Sequence, residues 1–319
     1  MGCGNFGTRR IKTVVENKQV ELISVTDIIK ERAKEMAKKY GCDCYTDFRD
    51  AIKRKDVECV IVATPNNSHA LISTAALRNK KHVWCEKPLA INLEQASRIV
   101  ATAYKNKVFL KTGSNLRYFP NVQKGIEILK GNALGDILFL RGWIGNTGKH
   151  LSSWYFDKKI AGGGTLLDNG FHIIDLTVLL LGKIKECVGH VSTTSLPVKN
   201  LEDNAFAILK SSNGKIAFVQ SSWREWNGYM YVEVYGEDGY MYIDNRGSVS
   251  KTVLTKNDGH HEIFDYSNEV QSYELELKDY IQSIKNNQQP HASGLEGMEV
   301  LRIIHGIYKS SKNGQRIVL

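Results

Sequence analysis

At 319 residues, the chain is about twice as long as a typical domain, which predicts two domains. Hydrophobic residues make up 42% and charged residues 24% of the chain, as in soluble globular proteins, and no apolar run approaches the roughly 20 residues of a membrane helix. The net charge of +9 is spread along the chain, so we expect a solvated basic surface, with no nucleic acid and no membrane as a partner.

The six cysteines form no C-x-x-C pair, which favours free thiols in a reducing compartment. The closest pair, Cys42 and Cys44, supplies two of the four ligands that a structural zinc site needs. The glycine-rich start leaves no room for a signal peptide. We therefore expect a cytoplasmic protein that binds no metal.

The chain begins with a glycine-rich loop, Gly2-Cys3-Gly4-Asn5-Phe6-Gly7, in the pattern G-x-G-x-x-G. A helix is predicted over residues 8–17 and a strand over residues 20–25, and Asp27 stands at the end of that strand. Such glycines let a backbone approach a pyrophosphate, and such an acid binds the adenosine ribose hydroxyls and repels a 2′-phosphate. Because Ile28 follows instead of an arginine, the pattern predicts NAD, with NADP less favoured.

The strand that usually precedes such a loop is missing, because only Met1 stands before Gly2. In a doubly wound sheet that strand is central, and its loss leaves backbone groups of its neighbours unpaired. We therefore expect that the natural start lies upstream of Met1, or that the chain is truncated there.

Strands and helices then alternate in units of about 30 residues, which predicts a parallel sheet and a Rossmann-type domain over residues 1–114. The strand predicted over residues 57–63 ends in the turn Thr64-Pro65-Asn66-Asn67-Ser68-His69, which places backbone amides and Asn66 near the cofactor. Predicted helices cover residues 28–40, 48–54, 70–79 and 93–106, and further strands cover 81–85 and 108–113.

The strand that ends at Cys85 is followed by Glu86-Lys87-Pro88. Proline cannot donate to a sheet ladder, so the strand stops there and delivers a carboxylate and an ammonium to its carboxyl end. In an open α/β sheet that edge binds ligands, and the alternative is a solvated turn. The parallel pattern before it favours the ligand edge.

The glycine loop, Thr64-Pro65-Asn66-x-x-His69 and Glu86-Lys87-Pro88 together resemble the Gfo/Idh/MocA oxidoreductases. The resemblance implies NAD(P)-dependent oxidation of a secondary alcohol on a sugar, sugar nucleotide or cyclitol. It implies that Lys87 touches both the substrate hydroxyl and the nicotinamide ribose, and that the Lys87–Pro88 bond is cis. The segment Ser114–Tyr118 resembles the crossover of the family, where Asn115 approaches the cofactor and Arg117 the substrate. A structural ion pair is the alternative for Arg117. The predicted cofactor-binding residues are Gly2, Gly4, Asn5, Phe6, Gly7, Asp27, Thr64, Pro65, Asn66, His69, Glu86, Lys87 and Asn115.

Beyond Pro120 the pattern changes to consecutive strands joined by turns, which predicts an α+β domain over residues 115–319 with a large, mostly antiparallel sheet. Asn213-Gly214 and Asp238-Gly239 are hairpin signals within it. A final helix over residues 293–311 is expected to pack back on the first domain. Exposed tyrosines of the sheet favour a homo-oligomer, dimer or tetramer, over a merely solvated face. The predicted helix is 122–130, and the strands are 136–145, 185–195, 204–211, 215–223, 229–235 and 240–244.

The triglycine Gly162-Gly163-Gly164 precedes a helix in which Asp168 and His172 are four residues apart and share one face. Histidine exchanges protons near neutral pH, and a neighbouring carboxylate orients it and raises its basicity. The alternative is a histidine held within the core; zinc lacks a third ligand at suitable spacing. The spacing matches the catalytic segment of the family, and residues 144–160 and 245–270 are expected to supply walls of the substrate pocket. The predicted catalytic residues are Lys87, Asp168 and His172, and the substrate-binding residues are Lys87, Arg117, Trp154, Asp168 and His172.

Three rival interpretations remain. Tyr155 and Lys159 form the Y-x-x-x-K of short-chain dehydrogenases, but a triglycine follows at once and the first glycine pattern differs, which makes it a coincidence. A non-catalytic cofactor-binding regulator would be favoured if Lys87 or His172 were missing, and both are present. An NAD-dependent glycosidase of the same superfamily would show no net NADH.

Overall fold

The computed structural model describes residues 1–149, 151–194, 200–267 and 272–319. The chain divides into two compact units. The first consists of Met1–Ser114, Lys159–Ala161 and Tyr273–Met298. The second consists of Asn115–Lys158, Gly162–Ser272 and Glu299–Leu319. His150, residue 195 and residues 268–270, which belong to predicted segments or their flanks, lie outside the described residues.

The first unit alternates strands and helices, as the sequence predicts. Its strands are β1 (Ser24–Thr26), β2 (Asp43–Tyr45), β3 (Cys59–Val62), β4 (His82–Cys85) and β5 (Leu110–Thr112). Its helices include α1 (Asn5–Glu16), α2 (Lys30–Tyr40), α3 (Phe48–Ile52), α4 (Asn66–Arg78) and α5 (Leu93–Asn106). All strand pairs are parallel, in the orders β1–β2 and β3–β4–β5. The predicted parallel, Rossmann-type sheet is confirmed.

This parallel sheet is in two pieces, and the first residues of the chain lie between them. The Gly2 amide donates to the Thr26 carbonyl at 2.8 Å on one side, and the Ala63 amide donates to the Met1 carbonyl at 2.8 Å on the other. Residues 20–22 pair with no strand in the described part of the chain. Without a neighbour there, the strand predicted over residues 20–25 is reduced to Ser24–Thr26.

The middle strand β4 is deeply buried in the first unit. Val83, Trp84 and Cys85 are completely buried, as expected of an apolar strand that is covered on both faces. Helix α2 ends at Gly41, whose left-handed φ of 70° is the conformation that glycine adopts at least cost. The helix therefore ends at residue 40, as predicted.

The second unit is built on a mixed sheet of nine strands, counted over the described residues. They are β6 (Ile137–Gly145), β7 (Ile184–Ser192), β8 (Asn204–Ser211), β9 (Ile216–Ser222), β10 (Tyr229–Gly236), β11 (Gly239–Arg246), β12 (Lys251–Lys256), β13 (His261–Asp265) and β14 (Ile317–Val318). Their order is β13-β12-β11-β10-β6-β9-β8-β7-β14. Neighbours are antiparallel except for the pair β6–β9, so the mostly antiparallel sheet is confirmed. Both predicted hairpins are present, β8–β9 and β10–β11.

The remaining α-helices of the described residues are divided between the two units. They are α6 (Pro120–Lys130), α7 (Lys158–Ala161), α8 (Thr165–Leu181), α9 (Ser272–Lys285) and α10 (Gly294–Asn313). Helix α8 packs on β6, β8 and β9, and α6 packs on β11 and β12. The predicted final helix is α10, whose residues up to Met298 belong to the first unit.

Helix α8 is the central helix of the second unit. By length and composition, the stretch Lys158–Leu181 could cross a membrane, which corrects the expectation that no such stretch exists. However, 83% of its apolar window is buried inside the protein, as is typical of a core helix. It is apolar because it is surrounded by other parts of the protein.

The other face of the nine-stranded sheet is open as far as the described residues show. Along β8, Ala205, Ala207 and Leu209 are buried, whereas Phe206 and Ile208 point outward and are exposed. Phe139 and Tyr235 stack at 4.6 Å, and Tyr235 and Tyr240 at 5.4 Å. This face therefore carries rows of apolar and aromatic side chains.

Candidate active site

The three glycines of the first loop meet different surroundings. A Cβ on Gly2 would lie 2.3 Å from the Ala63 oxygen, and a Cβ on Gly7 would lie 1.8 Å from the Gly2 oxygen. A Cβ on Gly4 would meet no atom of the described residues within 4 Å. Gly2 and Gly7 are therefore required by packing, whereas Gly4 leaves space that a ligand can approach.

The difference between Gly4 and Gly7 can be tested by substitution with alanine. We expect Gly4→Ala to fold with nearly the melting temperature of the wild type but to bind NAD at least about tenfold more weakly, because its methyl group fills the approach path. Gly7→Ala is expected to lower the melting temperature by overpacking. Thermal unfolding and titration with NAD measure the two effects. Wild-type NAD affinity in Gly4→Ala would contradict the assignment of the loop.

The loop opens into α1, whose amino end suits an anion. Its N-cap is Gly4, no side chain of the described residues caps it, and its first turn carries no acid. Backbone N–H groups and the helix dipole at such an end attract phosphate. Asn5 and Phe6, the first residues of the helix, are exposed.

Asp27 follows β1 beside this loop and is held by backbone amides. Its Oδ2 accepts from the Cys3 amide and its Oδ1 accepts from the Ile29 amide, each at 2.8 Å. A carboxylate oxygen can accept two hydrogen bonds, so each retains capacity for a ribose hydroxyl. The glycine loop, the end of α1 and Asp27 therefore fit a dinucleotide.

The turn after β3 is tied to the turn after β4 by His69, which is 1% exposed. One ring nitrogen lies 2.8 Å from the Pro88 oxygen and the other 2.8 Å from the Thr64 oxygen. The side-chain Nδ2 of Asn66 donates to the Ala161 carbonyl oxygen at 2.8 Å, and Pro65 occupies the N-cap position of α4. These contacts with backbone give His69 and Asn66 a structural role at positions that the sequence assigns to cofactor binding.

Glu86, also predicted to bind the cofactor, forms a buried ion pair. The Arg10 Nε donates to its Oε1 at 2.5 Å, and the Arg10 Nη1 lies 2.8 Å from Glu276 Oε2. Glu276 in turn accepts from the Ser114 amide at 2.8 Å. The guanidinium lies 4.1 Å from the centre of the Trp84 ring. This cluster joins α1, the ends of β4 and β5, and α9.

Burial sets the electrostatics of the cluster. Burial lowers the pKa of Arg10, but Glu276 and Glu86 outweigh it and raise that pKa above its ordinary value. Burial raises the pKa of Glu276, opposed by Arg10 and Lys111. Arg10 and Lys111 thus favour the ionised form of Glu276 against its burial. Lys87 follows Glu86 at the end of β4, is partly buried, and begins a cis bond to Pro88, as the resemblance implies.

In the second unit, α8 presents Asp168 and His172, which are 8% and 4% exposed. The Trp223 Nε1 donates to Asp168 Oδ2 at 3.1 Å. Trp223 is completely buried, so this contact orients the carboxylate from a fixed position. The two residues lie four positions apart in α8, as the sequence predicts.

Arg117 forms an ion pair with Asp175 of the same helix. Its Nε donates to Asp175 Oδ2 at 2.7 Å, and its Nη2 donates to Asp175 Oδ1. Both side chains are buried, so this is the structural ion pair that stands as the alternative to substrate binding. Gln123 donates to the Arg117 carbonyl.

The other predicted residues of the second unit lie in short turns of 3₁₀ helix. Asn115 begins the turn Asn115–Tyr118, and Trp154 lies in the turn Ser153–Phe156 and stacks on Tyr155 at 3.8 Å. Lys159 belongs to the separate helix α7, so Tyr155 and Lys159 do not share one continuous helix. This supports treating their Y-x-x-x-K spacing as a coincidence.

Thus the predicted residues fall into two groups. The glycine loop, Asp27, the Thr64–His69 turn and Glu86-Lys87 are in the first unit; Asn115, Arg117, Trp154, Asp168 and His172 are in the second. Within the described residues, no group of three or more His, Cys, Asp or Glu side chains could hold a metal ion. All six cysteines, which the structure describes, are free thiols.

Comparison with known proteins matches both halves of the chain. Residues 1–114 match the GFO/IDH/MocA oxidoreductase family with its NAD-binding Rossmann fold, and residues 122–242 match the GFO/IDH/MocA C-terminal domain. The chain is 28% identical to myo-inositol 2-dehydrogenase of Thermotoga maritima, over 100% of this chain and 97% of that protein. It is 30% identical to 2,7-anhydro-N-acetylneuraminate hydratase of Escherichia coli, over 76% of this chain and 66% of that protein. Levoglucosan dehydrogenase, solved with NADH and levoglucosan, shares the fold with a TM-score of 0.91 at 22% identity, over 100% of this chain and 97% of that one.

Proposed function

This chain belongs to the Gfo/Idh/MocA family of NAD-binding oxidoreductases, and we propose that it oxidises a secondary alcohol of a cyclitol, sugar or sugar nucleotide with NAD. The observation that carries the proposal is the pair Asp168 and His172 on one face of α8, with the Asp168 carboxylate held by Trp223. A carboxylate that orients a histidine is the arrangement that general-base catalysis needs. Relatives named for inositol support the substrate class.

Each residue has a distinct role in this proposal. His172 takes the proton of the reacting hydroxyl, and Asp168 orients its ring. Lys87 donates to the same oxygen and stabilises the negative charge that develops there, which is typically worth about 3–4 kcal/mol per donor. When bound, NAD supplies the hydride acceptor.

A panel of substrates tests the proposal. The protein is incubated with NAD and with cyclitols, polyols, aldoses and nucleotide sugars, and the absorbance of NADH is followed. We expect NADH with at least one member. No NADH with any member, together with release of the chromophore of an aryl glycoside, would favour the glycosidase.

A reaction without net redox change is the second candidate. The hydratase of E. coli is among the relatives, and its name describes a hydration. A protein of this kind would convert its substrate in the presence of NAD without accumulating NADH. Product analysis beside the absorbance measurement separates it from a dehydrogenase.

Asp27 is proposed to select NAD over NADP, because its charge repels a 2′-phosphate. We expect Asp27→Asn to shift the ratio of kcat/KM values for the two cofactors toward NADP by at least about tenfold, in line with the loss of hydrogen bonds to a charged group. Asn keeps an Oδ1 for the Ile29 amide but loses the Oδ2 that accepts from the Cys3 amide, so kcat/KM is expected to fall with both cofactors and the ratio of the two values reports the role of the charge. Glu31→Gln, an exposed change in α2, is the control. An unchanged ratio in Asp27→Asn would exclude this role.

A second copy of the chain is proposed to cover the open face of the nine-stranded sheet. Val188, Phe206, Ile208 and Phe218 are exposed there, and such a patch typically marks an interface. Sedimentation velocity should show a dimer or tetramer that Phe218→Lys dissociates. Leu71→Lys, an equally exposed apolar position in α4, is the control. A monomeric wild type would contradict the proposal.

A further inference from the structure

The amino end of α8 is closed by a residue distant in sequence, Glu202. The Gly164 amide donates to Glu202 Oε2 and the Leu166 amide to Glu202 Oε1, each at 3.0 Å. The Thr165 amide donates to the backbone oxygen of Glu202, also at 3.0 Å. Three successive amides at the start of the helix are therefore bound by one residue. A helix start normally needs such partners, because its first N–H groups have none within the helix.

The glycines before α8 are shaped to this contact. A Cβ on Gly164 would lie 1.9 Å from the Glu202 oxygen, and a Cβ on Gly163 would lie 2.4 Å from the Tyr308 hydroxyl. The Tyr308 hydroxyl donates to Glu202 Oε1 at 2.7 Å. The absence of side chains at Gly163 and Gly164 therefore lets Tyr308 approach the first and Glu202 the second.

The charge of the carboxylate suits its place. Glu202 is 6% exposed, and burial raises its pKa, while Tyr308 and the backbone amides of Leu166 and Gly164 lower it. A negative charge at a helix amino end is also favoured by the helix dipole. Asp168 lies in the first turn of α8 and His172 one turn later. Any shift of the helix start therefore moves both.

We propose that Glu202 is a positioning residue for the reaction: by binding the first amides of α8, it sets where Asp168 and His172 stand. Tyr308 supports it by holding the carboxylate. The inference rests on the proposed function. Glu202 itself touches neither substrate nor cofactor in this proposal, since its carboxylate is taken up by α8 and Tyr308.

The test compares three variants of the full chain with the wild type, using NAD and the substrate found by the panel. Glu202→Gln keeps the shape but offers one acceptor oxygen instead of two, and we expect kcat to fall about tenfold or more, because a misplacement of about 1 Å can cost about a hundredfold. The affinity for NAD, measured by titration, should be unchanged, because the predicted NAD-binding residues other than Asn115 lie in the first unit. Glu202→Asp is expected to recover part of kcat. The fall in kcat is expected to be smaller in Tyr308→Phe than in Glu202→Gln.

Hydrogen–deuterium exchange supplies a readout that does not depend on activity. In Glu202→Gln the amides of Gly164 and Leu166 should exchange faster than in the wild type, with the rest of the second unit unchanged. If the wild type is active and Glu202→Gln keeps the wild-type kcat, the role of Glu202 is wrong and the proposed function still stands. The same conclusion follows if exchange at these amides is unchanged, or if kcat and NAD affinity fall equally. A wild type without activity on any panel member would instead overturn the proposed function.

Discussion

Replacing Lys87 or His172 by alanine is expected to lower turnover by at least about a hundredfold in each case, the scale of acid–base and charge-stabilising groups. Lys87→Ala removes the donor that stabilises charge on the reacting oxygen, and His172→Ala removes the base that takes its proton. The affinity for NAD should fall much less. Steady-state kinetics and NAD titration of the same proteins measure the two effects.

Two exposed residues supply matched controls. Lys105→Ala and His260→Ala remove the same types of side chain from the surface and should leave turnover unchanged. The double variant Lys87→Ala/His172→Ala should lose much less than the product of the single losses, because both groups are proposed to act on one oxygen. Unchanged turnover in either single variant, or fully multiplicative losses, would contradict the roles.

The largest expected effect on stability is at Arg10. Arg10→Met leaves Glu86 and Glu276 buried without the guanidinium that both contact, and removal of one partner of a buried ion pair typically costs about 3–5 kcal/mol. Denaturant unfolding of the wild type and the variant measures the difference. The triple variant Arg10→Met/Glu86→Gln/Glu276→Gln should recover much of the lost stability, because neutral amides then replace both carboxylates.

The loss should depend on pH in a defined direction. Burial raises the pKa of Glu276 above its ordinary value of 4.5, and Arg10 opposes this shift. In Arg10→Met that opposition is gone, so the folded protein binds a proton more readily than the unfolded chain. Stability then falls as pH rises above 4.5, and the deficit of the variant shrinks as pH falls toward 4.5.

Arg49→Met is the control for this comparison, because Arg49 pairs with Asp47 on the exposed surface. Exposed ion pairs contribute little, so its stability should be close to that of the wild type. Equal stability of Arg10→Met and Arg49→Met would show that the buried cluster is not a source of stability.

Much of the fold follows from local pattern. Helix α5 and strand β8 have the bounds that the sequence predicts, Leu93–Asn106 and Asn204–Ser211, because periodicity and alternation along these segments agree with their burial. Strand β1 is shorter than predicted because its residues depend on a neighbouring strand as well as on their own β propensity.

The placement of Asp168 and His172 on one face of α8 could be predicted, because positions i and i+4 are neighbours on any helix. The sequence could not predict the partners of Glu86 and Arg117. Arg10 and Glu86 are 76 positions apart, and Arg117 and Asp175 are 58 apart, so only the folded chain brings each pair together. The contact of Glu202 with the start of α8 spans 38 positions, so it too depends on the folded chain.

The most direct test of the account follows the hydride itself. A substrate from the panel that carries deuterium on the carbon of the reacting hydroxyl is incubated with the protein and NAD, and the NADH and the organic product are examined by mass spectrometry. We predict deuterium in the NADH and a ketone product. Deuterium that stays in the organic product, with no NADH formed, would contradict it.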